Sequence, residues 1–249
     1  MRKILLLLIT LSGTFSATAQ QADNKIPSQC VEQQQWMKAD FVISEQRADK
    51  VLKRSLTLWR KPNVVAHQYA QQQITQMWEH VNQRVKATRF FDAHERAIEY
   101  QPGETIHGHT DNNWPYRYQL IKPGFLASLE KTRTEGEGCA LEEYYSGNIG
   151  NDSVSVVWLP AMKLLKAMTV GKNHREVRWS LQQLAHDQPA IRAFFTKRAD
   201  FQSTDFADIG DDHTDPFLTN MVHQGFIEPA ASGFYDVNGT AIEGSGHSH

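Results

Sequence analysis

Aspartate and histidine concentrate in one stretch, "DFADIGDDHTDPF", Asp205 to Phe217, with five aspartates and one histidine in thirteen residues. Oxygen-rich loops bind hard cations when enough carboxylates converge. The EF-hand template does not fit this one. With Gly210 at the glycine position, Ala207 and Ile209 fall where oxygen ligands belong, and Pro216 falls where the bidentate glutamate belongs. Asp208, Asp211, Asp212 and His213 remain candidates for a less regular ion or substrate site. A structural reading accounts for more residues. Asp215, then Pro216, then "FLTNMVHQ" and Gly225 spell the N-cap, first turn and stop of a short helix. Phe217, Leu218, Met221 and Val222 would form its buried stripe.

The second pattern is His107-Gly108-His109 followed by Asp111. Two imidazoles across a glycine can chelate zinc or copper if the loop bends. The tail "GSGHSH" repeats the spacing with His247 and His249. It reads as a flexible metal-capturing segment, residues 244–249, with an expression remnant or a disordered terminus as the alternatives. His67, His80 and His94 are each expected to be ordinary hydrogen-bonded or surface histidines unless the fold gathers them beside the His107 loop. Glu95 and Glu99, with Glu142 and Glu143, read as solvated sheet positions before they read as an acid/base pair. G-x-S-x-G, H-E-x-x-H, G-x-G-x-x-G, Walker and C-x-x-C patterns are missing from the sequence.

Residues 1–19 have the form of an export signal: Arg2 and Lys3, an apolar run from Ile4 to Leu11, and Ala17-Thr18-Ala19 as a cleavage site. The run is too short to span a bilayer, and no membrane span is expected elsewhere. Its removal would leave 24 basic against 28 acidic residues, a balance with no footprint for nucleic acid. No basic amphipathic stretch suggests a membrane surface either. The destination is read as the periplasm, or secretion, for a soluble product. The sequons at Asn151 and Asn238 matter only in a eukaryotic secretory route. In an oxidising compartment Cys30 and Cys139 are expected to form one disulfide.

The elements that would position these residues are mostly strands. "SLTLW", "VVAHQY", "ITQMWEHV", "VKATRFF" and "ERAIEY" alternate at period two between short polar turns, including Asn82-Gln83 and Asp92-Ala93, and predict an antiparallel meander. On the "ITQMWEHV" strand, Met77 and Val81 are expected on the core side, opposite Trp78 and His80. "YRYQLI" predicts a further strand, "FLASLEKTR" a short helix, and "CALEEYY" with "SVSVVWL" a hairpin around 147–152. "EVRWSL" adds a strand. Helices are expected over Ser28 to Ala39, with Ser28 as N-cap, and over "DQPAIRAFFTKRADF". The fold class is α+β: a curved antiparallel β-meander or half-barrel with a few covering helices, forming one domain over residues 20–243.

Together these features describe an exported binding or accessory protein that handles a transition metal, zinc or copper. One alternative is a periplasmic carrier holding a lipid or other apolar ligand on the curved sheet. Trp59, Trp78, Trp114, Trp158 and Trp179 would then line the ligand rather than fill the core. The other is a hydrolase or lyase in which Asp208 or Asp211 meets a histidine such as His67 or His94. The balance leans away from an enzyme, and no protein partner is identifiable.

Overall fold

Strands dominate because the alternation runs through most of the chain. The computed structural model describes residues 27–103, 105, 106, 109, 110, 113–172, 175–209 and 215–223. Helix α1 (Ser28–Gln35) leads into β1 (Met37–Arg47), β2 (Lys50–Lys61), β3 (Val64–Tyr69), β4 (Ile74–Val81), β5 (Arg84–Phe91) and β6 (Arg96–Tyr100), a continuous antiparallel meander. A short ribbon, β7 (Thr105–Ile106) with β8 (His109–Thr110), and helix α2 (Trp114–Gln119) follow. A second meander comprises β9 (Glu130–Glu135), β10 (Glu142–Ile149), β11 (Asp152–Leu159), β12 (Leu164–Lys172) and β13 (Arg175–Ala185). Helix α3 (Gln188–Ala199), β14 (Gln202–Asp205) and helix α4 (Pro216–His223) complete the described chain.

The two meanders share one open sheet of twelve strands, ordered β14-β6-β5-β4-β3-β2-β1-β13-β12-β11-β10-β9. The seam between them is the antiparallel pairing of β1 with β13, from Lys38 opposite Ala185 to Arg47 opposite Arg175. Only β14 runs parallel to its neighbour, β6. The sheet is therefore α+β and antiparallel as expected, and it does not close into a barrel. Register shifts at Asp40/Phe41, Tyr144/Tyr145 and Val157/Trp158 mark places where the strands bend. Asn82 and Gln83, with φ of 48° and 63°, make the hairpin turn their residue types favour.

One face of the sheet is the core. Met37, Ala39, Phe41 and Ile43 alternate along β1 on this face, all buried. The chain fills the face with its own connection between the meanders: Leu120, Ile121, Phe125 and Leu129 are buried in the same cluster. Gly147 permits a close approach here, since a Cβ there would sit 2.8 Å from the Leu129 side chain. The opposite face is covered near β2 and β3 by α3, where Ile191, Phe194 and Phe195 pack on Val64 and Ala66, and Trp59 stacks on Phe194 at 4.0 Å. Asp187 caps α3 by accepting from the Ala190 amide.

Several expectations are corrected. The first helix stops at Gln35 and Ser28 does not cap it, because the period-two pattern of β1 takes over at Met37. "YRYQLI" is not a strand. Asn113 accepts from the Tyr116 amide, Pro115 occupies the first turn, and α2 results. "FLASLEKTR" supplies one tight turn at Leu126–Ser128 and then β9, so strand pairing with β10 overrides its helical propensity. On β4 the core side chain is Trp78, which is 4 % exposed, whereas Val81 is 44 % exposed at a hairpin tip. Alternation gives two faces; the segment lying over one of them decides which is inside.

Cys30 and Cys139 form a disulfide across 109 residues, with Cα atoms 5.2 Å apart. Replacing both by serine removes that cross-link from the unfolded chain as well. In the chain-entropy view the loss is about 4–5 kcal/mol, to be read as a lower urea midpoint with a steeper slope, because the unlinked unfolded chain exposes more surface.

Candidate functional site

A candidate site lies at the end of the sheet where β1 begins and β13 ends, here termed the clasp end. Three long-range links meet there. The disulfide ties α1 to the turn before β10. His186 Nδ1 lies 2.9 Å from the Trp36 carbonyl oxygen. A carbonyl only accepts, so Nδ1 carries the proton and Nε2 is left as the second polar atom of the ring. Arg60, fully buried, donates to the carbonyls of Met162 at 2.8 Å and Lys163 at 2.9 Å and also to that of Tyr118, whose ring it covers at 3.9 Å. Burial lowers its pKa to about 10, so it remains charged at neutral pH. Arg60 therefore nails the β11–β12 turn and α2 onto β2.

Between these links is a cavity of about 310 Å³. Leu159, Met162, Leu181 and Leu184 give it an apolar interior, with Cys139 and Ala140 closing one side. Gln33, Glu142, Lys166 and His186 add polar groups. Glu142 and Lys166 form an ion pair, and the Lys166 ammonium holds the Glu142 carboxyl below the usual range. Two bulges flank it: Val157 and Trp158 pair with Ala167 and Leu165, which leaves Lys166 as the extra residue of β12, and Asp40 and Phe41 pair with Gln183 and Leu181, which leaves Gln182 as the extra residue of β13. The arrangement can hold a small body by apolar contact and meet its polar end with hydrogen bonds. It contains no nucleophile–base pair.

Apart from Cys139 and Glu142, the residues selected from sequence do not line this cavity. His107, Asp111, Asp211, Asp212, His213, His247 and His249 fall outside the described residues; His109 is described only as backbone of β8. Among the described residues no group of three or more His, Cys, Asp or Glu side chains could hold a metal ion. Asp208 is exposed in a tight turn, Phe206–Asp208, that Asp205 caps by accepting from the Ala207 amide. Asp215 is the N-cap of α4, accepting from the amides of Phe217 and Leu218 and pairing with Arg96 at 2.6 Å. His67 is buried, with Nε2 2.8 Å from the Arg117 carbonyl. His80 stacks on Trp114, and His94 lies against Phe217. Glu142 and Glu143 are successive on β10, so they face opposite ways, and each is taken by a lysine. Burial would raise Glu143, but hydrogen bonds from Lys131 and Tyr145 outweigh it and hold the carboxyl low. Trp78, Trp158 and Trp179 are core side chains, and Trp59 lies under α3. Of the cavity residues, Cys139 drew attention in the sequence as half of the expected disulfide and Glu142 as one of the strand carboxylates; the rest have no unusual type or spacing.

Fold and cavity together define an open-sheet α+β protein with a small apolar pocket at one end. No protein-family model matches the chain, and no curated protein matches its sequence. Solved structures resemble it distantly. PNGF-II, in one crystal form, is 10% identical over 76% of this chain and 33% of its own, with a TM-score of 0.36. MucB is 9% identical over 64% of this chain and 58% of its own, and a DUF1329 family protein from Desulfovibrio piger is 10% identical over 64% and 90%; both have a TM-score of 0.31. This chain thus spans about a third of PNGF-II and little more than half of MucB. Likeness at this level defines neither a family nor an activity.

Asp215 offers a test of the structural reading of the acidic stretch. Hydrogen bonding to Arg96, joined by the two amide bonds, holds its carboxyl below the ordinary 3.8. A depressed folded-state value means that the stability it contributes is present above the ordinary carboxylate range and is lost as pH falls through the folded value. Asp215→Ala is expected to cost about 1 kcal/mol at pH 7, the usual worth of a cap. Asp215→Asn, which keeps a cap but not the charge, should cost less, and its difference from the parent should shrink in thermal melts as pH falls below the ordinary carboxylate range and through the lowered folded value.

Proposed function

We propose that this protein binds a small amphipathic molecule with an apolar body in the clasp-end pocket, acting as an exported, periplasmic carrier or accessory protein. The observation that carries the reading is the apolar interior of Leu159, Met162, Leu181 and Leu184 beside a compact polar group. At about 310 Å³ it sits at the small end of ligand pockets. A short acyl chain or a single ring system matches that size better than a whole phospholipid. The ligand does not lie on the sheet face, because the connection through Leu120 and Phe125 occupies it. The disulfide suits an oxidising compartment, in keeping with the signal-like N-terminal residues. No helix among the described residues is long and apolar enough to cross a membrane. Handling of zinc or copper draws no support from the described side chains.

The reading is tested with 1-anilinonaphthalene-8-sulfonate as an apolar fluorescent probe and with extraction of co-purifying apolar molecules. Leu184 is half-buried, so Leu184→Trp can fill the cavity without rebuilding the core. The expected result is micromolar probe binding that weakens at least tenfold in the variant at similar stability. A parent protein that neither binds the probe nor carries an extractable molecule, or a variant that binds equally well, rejects the pocket.

A further inference from the structure

The far end of the same strands carries a different feature. Among the described residues, Val51 and Leu52 are the most exposed large apolar side chains, at 56 % and 57 %. They are adjacent on β2, beside the tight turn Ala48-Asp49 that joins it to β1. This hairpin projects. β3 pairs with β2 only from Thr57 onward, so residues 50–56 have β1 on one side and no strand on the other. β13 supports the hairpin from the far side of β1, and its first residue, Arg175, lies opposite Arg47 and Lys172.

The charge around this tip opposes that of the whole chain. Residues 45–54 and 172–178 hold seven basic against three acidic side chains, in a protein of net charge -2. Glu45, one of the three acids, is buried against Arg47 and Arg54. The apolar pair lies at the edge of this basic end of the sheet. Successive residues of a strand point to opposite faces, so Val51 and Leu52 project from both sides of the hairpin. A protein partner would cover one face of such a blade. An apolar medium that surrounds the tip, with anions at its boundary, satisfies both faces and the cations at once.

We propose that the tip of the β1–β2 hairpin, with the neighbouring ends of β12 and β13, docks this protein on an anionic phospholipid surface. Val51 and Leu52 enter the interface, while Lys50, Lys53, Lys172 and Arg175 meet lipid phosphates. The proposal is independent of the pocket, which lies at the other end of β1.

The test is flotation of the whole chain with vesicles of equal parts phosphatidylglycerol and phosphatidylcholine, and with phosphatidylcholine alone. Val51→Ser/Leu52→Ser and Lys50→Glu/Lys53→Glu are compared with the parent; all four positions are exposed, so folding should be preserved. Binding to the anionic vesicles is expected to fall at least tenfold in either double variant, to be weak on phosphatidylcholine, and to be unaffected by Leu184→Trp. Hydrogen exchange on the anionic vesicles should slow at residues 46–54. Equal binding of parent and variants, as when the N-terminal apolar run alone anchors the chain, overturns the proposal, and so does unchanged exchange at 46–54. A loss of self-association in the serine variant without any effect on vesicles would assign the tip to a second copy and overturn it too.

Discussion

The pairing of β1 with β13 is the constraint on which the rest of the molecule depends. Residues 37–47 meet residues 175–185, and without that seam the chain would be two separate open meanders. Such long-range contacts are entropically slow to form, because a loop of more than a hundred residues must close first. The structure reinforces the seam at one end only. The disulfide, the His186–Trp36 contact and the three carbonyls gathered by Arg60 all join distant segments near the start of β1. Burying a guanidinium is costly, and the cost is tolerable because carbonyls satisfy it and the Tyr118 ring covers it. Arg60 is better understood as a structural rivet than as a ligand-binding cation.

Local signals made part of this architecture legible. The meander from β2 to β6, the β10–β11 hairpin, α3 with its Asp187 cap, the Asp215 cap and the disulfide all follow from alternation, turn chemistry and cysteine count. The central strand β1 did not emerge, since half of its pairing is with β13, far along the chain; β12 pairs only with its sequence neighbours β11 and β13, but the run "LLKAMTVGK" does not alternate cleanly enough to announce a strand. Tyr116 and Tyr118 alternate like a strand, yet the Asn113-Trp114-Pro115 start makes a helix. Met77 and Val81 looked like the core side of β4, but the connection from α2 onward lies over Trp78. The pocket was invisible for the same reason: Gln33, Cys139, Leu159, Lys166 and Leu184 come from five separate segments.

A filled core face changes what the fold can offer a ligand. A sheet lined with tryptophan suggests a groove, but Trp78, Trp158 and Trp179 are packed against the chain's own crossing segment. Burial of that segment stabilises the sheet through several large apolar side chains, each worth about 1.5–3 kcal/mol. Displacing it would forfeit more than a small ligand returns. Open chemistry is therefore pushed to the ends of the strands, where pairing stops and bulges create irregular space.

The two ends are built to different standards. β1 is eleven residues long, which separates them by roughly 35 Å. The clasp end is cross-linked by the disulfide and braced by the buried Arg60. The tip end has one unpartnered strand edge, exposed apolar side chains and an ion network around Glu45 as its main support. Stability is not uniform across a domain, and surfaces that must adapt come from its weakly held parts. A braced pocket and a compliant cationic tip on one strand pair fit a protein that keeps hold of a small molecule while its other end meets a soft, anionic boundary.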